Sequence, residues 1–114
     1  MGKLILLVDD DEDVRSVAEM MLTDFGYDVA AAAEGGAALR IARERQVDLL
    51  FTDVMMPGMN GFELAAAVRR LRPGLPVIAA TGYMSIDACP DCPILLRKPY
   101  RPHQLEAALR QLLG

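Results

Sequence analysis

Histidine and cysteine are nearly missing from this chain: His103 is the single imidazole, and Cys89 and Cys92 are the only thiols among 114 residues. A closed zinc centre needs four nitrogen or sulfur ligands, and a redox Cys-x-x-Cys normally opens a helix after a strand. Cys89-Pro90-Asp91-Cys92 therefore reads as a reduced pair in a surface loop. Long apolar runs are missing too, and nothing approaches the ~18 residues of a membrane span. The amino terminus offers one lysine and a five-residue apolar run. That is too short for the apolar region of a signal peptide, so a cytoplasmic protein is expected. Nor is there an excess of basic charge. Twelve Lys and Arg stand against 16 Asp and Glu, a formal net charge of -4, which leaves no surplus to release counterions from phosphates. Nucleic acid and membrane are set aside as partners, and other proteins are expected.

What the chain does have is apolar character, 53% hydrophobic against 25% charged, the balance of a globular protein. Residues 1–114 make one domain, long enough to bury roughly 65% of the unfolded surface in a single core. Short apolar runs at 4–8, 47–51, 77–80 and 94–96, with a weaker one at 27–31, read as strands, the stronger ones buried on both faces. Between them lie helical patterns. Val14, Val17, Ala18, Met21, Leu22 and Phe25 follow the i, i+3, i+4, i+7 spacing, with acids at the start and Gly26 where a C-terminal cap belongs. Phe62, Ala65, Ala66, Val68 and Leu71 form a helix closed by Pro73 and Gly74. Residues 36–45 form a further helix, and Leu105, Ala108, Leu109 and Leu112 the last. Regular alternation of strand and helix predicts an α/β fold, a doubly wound parallel sheet with right-handed crossovers.

In such sheets ligands bind beyond the carboxyl ends of the strands. The first strand runs directly into Asp9, Asp10, Asp11, Glu12 and Asp13. Asp53 follows the third strand, Thr81 the fourth and Lys98 the fifth, so Asp9, Asp10, Asp53, Thr81 and Lys98 are predicted to converge on one edge. Crowded carboxylates repel, and the repulsion calls for a cation. A hard ion such as Mg²⁺ takes about six oxygen ligands and keeps several waters, so two carboxylates and a backbone carbonyl suffice from the protein. With such an ion, Asp53 can stay ionised and attack a phosphoryl group whose oxygens are neutralised by the metal, Lys98 and the Thr81 hydroxyl. The product is an aspartyl phosphate. Asp11, Glu12 and Asp13 are better explained as first-turn acids favoured by the helix dipole. Gly58 and Gly61 read as turn residues, with Asn60 between them tolerant of left-handed backbone.

"LLVDDDEDVR", "FTDVMMPGMNG", "AATG" and "RKPY", in that order and at these distances, resemble the receiver domain of two-component response regulators. The resemblance covers essentially the whole chain. It implies five strands in the order 2-1-3-4-5, with Asp53 as phosphoacceptor, Asp10 as a direct Mg²⁺ ligand, Asp9 acting mainly through water, and the Met55 backbone carbonyl as the remaining protein ligand. It also implies that Thr81 closes on the phosphoryl group, that Lys98 pairs with it, and that the Lys98-Pro99 peptide is cis. The donor would be a histidine kinase or histidine phosphotransfer protein, and the signal would pass to a downstream regulator. Such a protein catalyses only its own phosphorylation and dephosphorylation and turns over no other substrate.

Thr81-Gly82-Tyr83 and a short crossover resemble a subgroup found as single-domain regulators and as receivers of hybrid histidine kinases. Only 16 residues separate Thr81 from Lys98, so the helix before the fifth strand is expected to be short or missing. Leu95 stands where many receivers carry an aromatic switch, which moves the expected conformational response to residues 82–92, with Tyr83 pulled by Thr81. Three other classes fit the residues less well. Asp9, Asp11 and Asp13 imitate a calcium EF-hand, but Val14 and Met20 occupy the positions of its Gly and Glu. A haloacid-dehalogenase-like phosphatase places its nucleophile after the first strand and needs Thr or Val where Asp13 stands. A flavodoxin-like FMN carrier needs a phosphate cradle where five acids would repel the phosphate.

Overall fold

The computed structural model describes residues 2–82 and 94–114. Five strands, β1 (Leu4–Val8), β2 (Asp28–Ala32), β3 (Leu49–Asp53), β4 (Val77–Thr81) and β5 (Ile94–Arg97), alternate with α1 (Glu12–Asp24), α2 (Gly35–Glu44) and α3 (Gly61–Leu71), and α4 (Pro102–Leu113) follows β5. The strands form one sheet in the order β2-β1-β3-β4-β5, and every pairing is parallel. This is the doubly wound α/β sheet that the strand and helix alternation predicts, in the order 2-1-3-4-5 that the resemblance implies. The predicted short fourth crossover helix, Tyr83 and the Cys89/Cys92 pair lie outside the described residues.

Burial follows strand position. β1 and β4 are buried at every residue, and β3 at all but Asp53, because helices cover both faces of the central strands. β5 departs from the expectation of a strand buried on both faces: it alternates half-buried and exposed residues, and Leu95 is 38% exposed. It is the last strand in the sheet order, with β4 as its pairing neighbour.

Two apolar layers sandwich the sheet. Leu6, Val8, Leu50 and Val54 pack with Ala38 and Ala42 of α2 and with Leu64 and Val68 of α3. On the other face Ile5, Leu7, Phe51 and Ile78 pack with Ala18 and Leu22 of α1 and with Leu105 and Leu109 of α4. Each fully buried Leu or Ile among them contributes about 1.5–3 kcal/mol.

The helix ends account for several of the small polar residues. Asp11 caps α1, its carboxylate accepting from the amides of Asp13 and Val14, and Glu12 and Asp13 occupy the first turn as the dipole favours. Gly26, at φ 97°, follows the α1 C-cap Phe25, where only glycine takes such a φ without strain. Asn60, read from the sequence as a turn residue tolerant of left-handed backbone, does not use that tolerance. Its φ is -79°, and it caps α3 in a reciprocal pair with Glu63. Val17, assigned by its spacing to the buried face of α1, is 56% exposed, whereas Ala18 and Leu22 carry the burial. Arg72 ties the layer of α2 and α3 together, Nη2 donating to the carbonyls of Ala42 at 3.1 Å and Arg45 at 2.8 Å.

Candidate functional site

Parallel strands deliver their last residues to one rim. Asp9 is the first residue past β1 and its amide donates to Ala32 O at 3.2 Å, which continues the pairing with β2 by one bond. Asp53 ends β3, Thr81 ends β4, and Lys98 follows β5 directly. The amide of Lys98 donates to Thr81 O at 2.7 Å, so the ends of β4 and β5 are held side by side. The Lys98-Pro99 peptide is cis.

The side chains converge. Carboxylate oxygens of Asp9, Asp10 and Asp53 lie within 4.8 Å of one another. Lys98 Nζ stands 3.2 Å from Asp9 Oδ2 and 3.2 Å from Asp53 Oδ1, joining the two acids. Asp9 is buried, and its second oxygen, Oδ1, accepts from the Asp11 amide at 2.9 Å. Asp10 is exposed and Asp53 half-buried. Thr81 is 2% exposed at the end of β4. Met55, two residues beyond Asp53, is exposed in the loop between β3 and α3.

Electrostatics follow from this crowding. Burial pushes the Asp53 carboxyl above its ordinary pKa; Lys98 opposes the shift, and Asp9 and Asp10 reinforce it. For Lys98, burial alone would lower the pKa, but Asp9 and Asp53 outweigh it and the ammonium is held more firmly than usual. The pocket is therefore short of positive charge. Three carboxylate oxygens this close, balanced by one ammonium, form a donor set that suits a hard divalent cation.

Two participants carried no signal in the sequence pattern. Arg15 lies on α1, and its Nη1 donates to the Asp9 backbone carbonyl at 2.8 Å. Thr52 is 1% exposed, and its hydroxyl donates to the Asp53 carbonyl at 2.9 Å. Beside the acids an apolar groove of about 560 Å³ opens between α1 and the turn after β5, lined by Val14, Val17, Met21, Pro99 and Tyr100 and reaching Lys98. Tyr100 sits edge-on to Phe51, ring centroids 5.8 Å apart. Burial first, then the charges of Asp9 and Asp53, push its phenol up to about 12.

The family model described as response regulator receiver domain matches residues 5–110. The transcriptional regulatory protein AfsQ1 of Streptomyces coelicolor is 34% identical over 116 residues, covering 96% of this chain and 50% of AfsQ1. The chain thus spans about half the length of that relative. Among solved structures, chemotaxis protein CheY4 of Vibrio cholerae superposes with a TM-score of 0.92 at 32% identity, covering 99% of this chain and 100% of that one. The receiver domain of the sensor histidine kinase PA1611 of Pseudomonas aeruginosa, solved with a magnesium ion coordinated in its active site cleft, has a TM-score of 0.90 at 29% identity and covers 100% of this chain and 99% of its own.

Proposed function

The chain belongs to the response regulator receiver domain family, and from that premise we propose that Asp53 accepts a phosphoryl group from a phosphohistidine donor and holds it as an aspartyl phosphate. The observation that carries this reading is the position of Asp53 Oδ1, 3.2 Å from Lys98 Nζ at the edge of a three-carboxylate cluster. An isolated ionised carboxylate there would be costly, and the arrangement suits one that is kept ionised to act as nucleophile.

In the reaction a carboxylate oxygen of Asp53 forms a bond to phosphorus as the bond from phosphorus to the donor imidazole nitrogen breaks, and the imidazole leaves with the electron pair and takes up a proton. Mg²⁺ held by Asp10 and Asp53, by the Met55 backbone carbonyl and by Asp9 mainly through water would offset negative charge on the phosphoryl oxygens. Lys98, already beside Asp53, turns its ammonium to one phosphoryl oxygen. The Thr81 hydroxyl donates to another. Asp9 keeps Lys98 in place through its own 3.2 Å contact.

The chain acts as a phosphoryl acceptor and turns over no separate substrate. Its donor is a histidine kinase or histidine phosphotransfer protein, and a downstream regulator reads the phosphorylated form. The groove of Val14, Val17, Met21 and Tyr100 adjoins Lys98 and supplies apolar surface for the donor's approach. Thr81-Gly82-Tyr83 supports the subgroup of single-domain regulators and hybrid-kinase receivers. Among the described residues no helix is long and apolar enough to cross a membrane; the work is assigned to the cytoplasm and to the single domain 1–114.

The test is the intact mass after incubation with a small phosphodonor such as acetyl phosphate. One phosphate adduct is expected with Mg²⁺, none in a chelator and none in Asp53→Ala, while Asp10→Asn loses most of the Mg²⁺ dependence. An adduct that persists at full yield in Asp53→Ala overturns the assignment. Steady release of phosphate from many esters would favour the phosphatase class.

A further inference from the structure

Thr52 is a hydroxyl in an apolar layer. In register it lies between Val8 of β1 and Ala79 of β4, both fully buried and both part of the cluster under α2 and α3. A valine has the same shape and would be buried there without the cost of desolvating a hydroxyl. The donor of that hydroxyl is committed to one acceptor, the carbonyl oxygen of Asp53, at 2.9 Å.

On the β4 side the amide of the same peptide, Val54 N–H, donates to Ala80 O at 2.9 Å, but on the β1 side the carbonyl sits where strand support stops. The β1–β3 register ends at Val8 and Thr52, one residue short of Asp53. The Asp53 peptide is also closed in by Gly61: a Cβ there would overlap the Asp53 carbonyl oxygen and lie 2.9 Å from Val54 Cα. The Gly61 amide donates to Val54 O at 2.8 Å. The Asp53–Val54 peptide is therefore held by Thr52 at its carbonyl and by Ala80 at its amide, with Gly61 packed close against it.

We propose that Thr52 is a positioning residue for phosphoryl transfer, its hydroxyl fixing the orientation of the peptide from which both the Asp53 carboxylate and the loop carrying the Met55 carbonyl depart. The inference rests on the reading of Asp53 as phosphoacceptor and Met55 as a metal ligand. Two oxygens assigned to one ion, from residues two apart, keep their separation only if the peptides between them are held. The first of those peptides is held at its amide by Ala80 of β4 and at its carbonyl by Thr52, and α3 holds the second through Gly61.

Thr52→Val removes the hydroxyl at constant shape, and Thr52→Ser keeps the hydroxyl with less bulk. Wild type and both variants are compared in three measurements. The first is the carbonyl ¹³C shift of Asp53 in metal-free protein, which moves in Thr52→Val and stays in Thr52→Ser. The second is Mg²⁺ binding by calorimetry, where Thr52→Val raises the dissociation constant by about three- to tenfold, the size of one lost hydrogen bond. The third is phosphorylation with acetyl phosphate. There the rate constant at saturating donor falls by about tenfold in Thr52→Val, the half-saturating donor concentration is unchanged, and Thr52→Ser recovers to within about twofold of wild type. Equal carbonyl shifts in all three proteins, or a Thr52→Ser as impaired as Thr52→Val, overturn the proposal, since packing shape and not the hydroxyl would then be responsible. If wild type gains no phosphate on Asp53, the functional reading fails separately, and the carbonyl shift and the Mg²⁺ isotherm still decide the role of Thr52.

Discussion

The guanidinium of Arg15 reaches back from α1 to the acidic corner that precedes it and donates from Nη1 to the carbonyl of Asp9 at 2.8 Å. Asp9 is thereby held at three oxygens, Oδ1 by the Asp11 amide, Oδ2 by Lys98 and the carbonyl by Arg15. These bonds fix the acidic corner between β1 and α1.

Arg15→Ala should therefore lower the unfolding free energy of the metal-free protein by about 1.5 kcal/mol, the low end for a charge-assisted bond, as suits a half-buried site. Urea denaturation in a chelator measures it. Arg15→Lys should not restore the loss, because an ammonium on a shorter side chain does not reproduce the reach of the guanidinium. Identical urea midpoints for wild type and Arg15→Ala would show that the bond contributes nothing.

Asp53→Asn should stabilise the metal-free fold at neutral pH. Burial raises the Asp53 pKa above its ordinary carboxylate value, so the folded chain holds that proton more tightly than the unfolded chain. The stability tied to the proton is complete below the unfolded pKa and is lost as pH rises through the folded one. At neutral pH the bare carboxylate is carried at a cost, and Lys98 retains Asp9 as a partner when Asp53 is neutralised. A Tm gain of about 2–4 °C in chelator is expected, shrinking to nothing as the pH drops below about 3.8. A Tm lowered at neutral pH would show that the Lys98 contact outweighs burial.

Gly61→Ala places a methyl group against the Asp53 carbonyl oxygen and 2.9 Å from Val54 Cα. Both obstacles are backbone and cannot swing aside. A loss of about 3 kcal/mol is expected from this overpacking, together with slower phosphorylation, since the displaced atoms belong to the phosphoacceptor itself. A stable variant with wild-type phosphorylation would mean that the turn relaxes at no cost.

Tyr100 should make alkaline stability pH-dependent. Its phenol is pushed from 10.0 up to about 12, by burial first and then by the charges of Asp9 and Asp53. The fold therefore keeps this proton longer than the unfolded chain, and the stability it brings is lost as pH rises from 10 through 12. Urea midpoints of wild type and Tyr100→Phe should run parallel below pH 10 and diverge above it, wild type falling faster. Parallel curves up to pH 12 would contradict the burial of the hydroxyl.

The sheet and the acidic cluster were legible in the sequence for a common reason. β1 is a continuous apolar run with acids at its end, and the parallel topology sends Asp9, Asp53, Thr81 and Lys98 to one rim however far apart they stand in the chain. Strand ends were less visible. β3 extends to Asp53 itself, where hydropathy stops at Phe51, because sheet pairing does not require an apolar side chain. Val17 shows the limit of helical spacing. The i, i+3 rule gives the width of an apolar stripe but not which of its edges the neighbouring elements cover. Thr52 and Arg15 left no trace, since their partners are backbone carbonyls, which every residue carries and no pattern marks. The capping role of Asn60 went unseen because its tolerance of left-handed backbone and its aptitude for capping come from the same short polar side chain.

Arg72 has a mechanical consequence. With one nitrogen bonded to the carbonyls of both Ala42 and Arg45, α3 cannot slide along α2 without breaking two bonds to a charged donor. The contact acts as a bolt at one corner of the layer, placed to resist shear between its two helices.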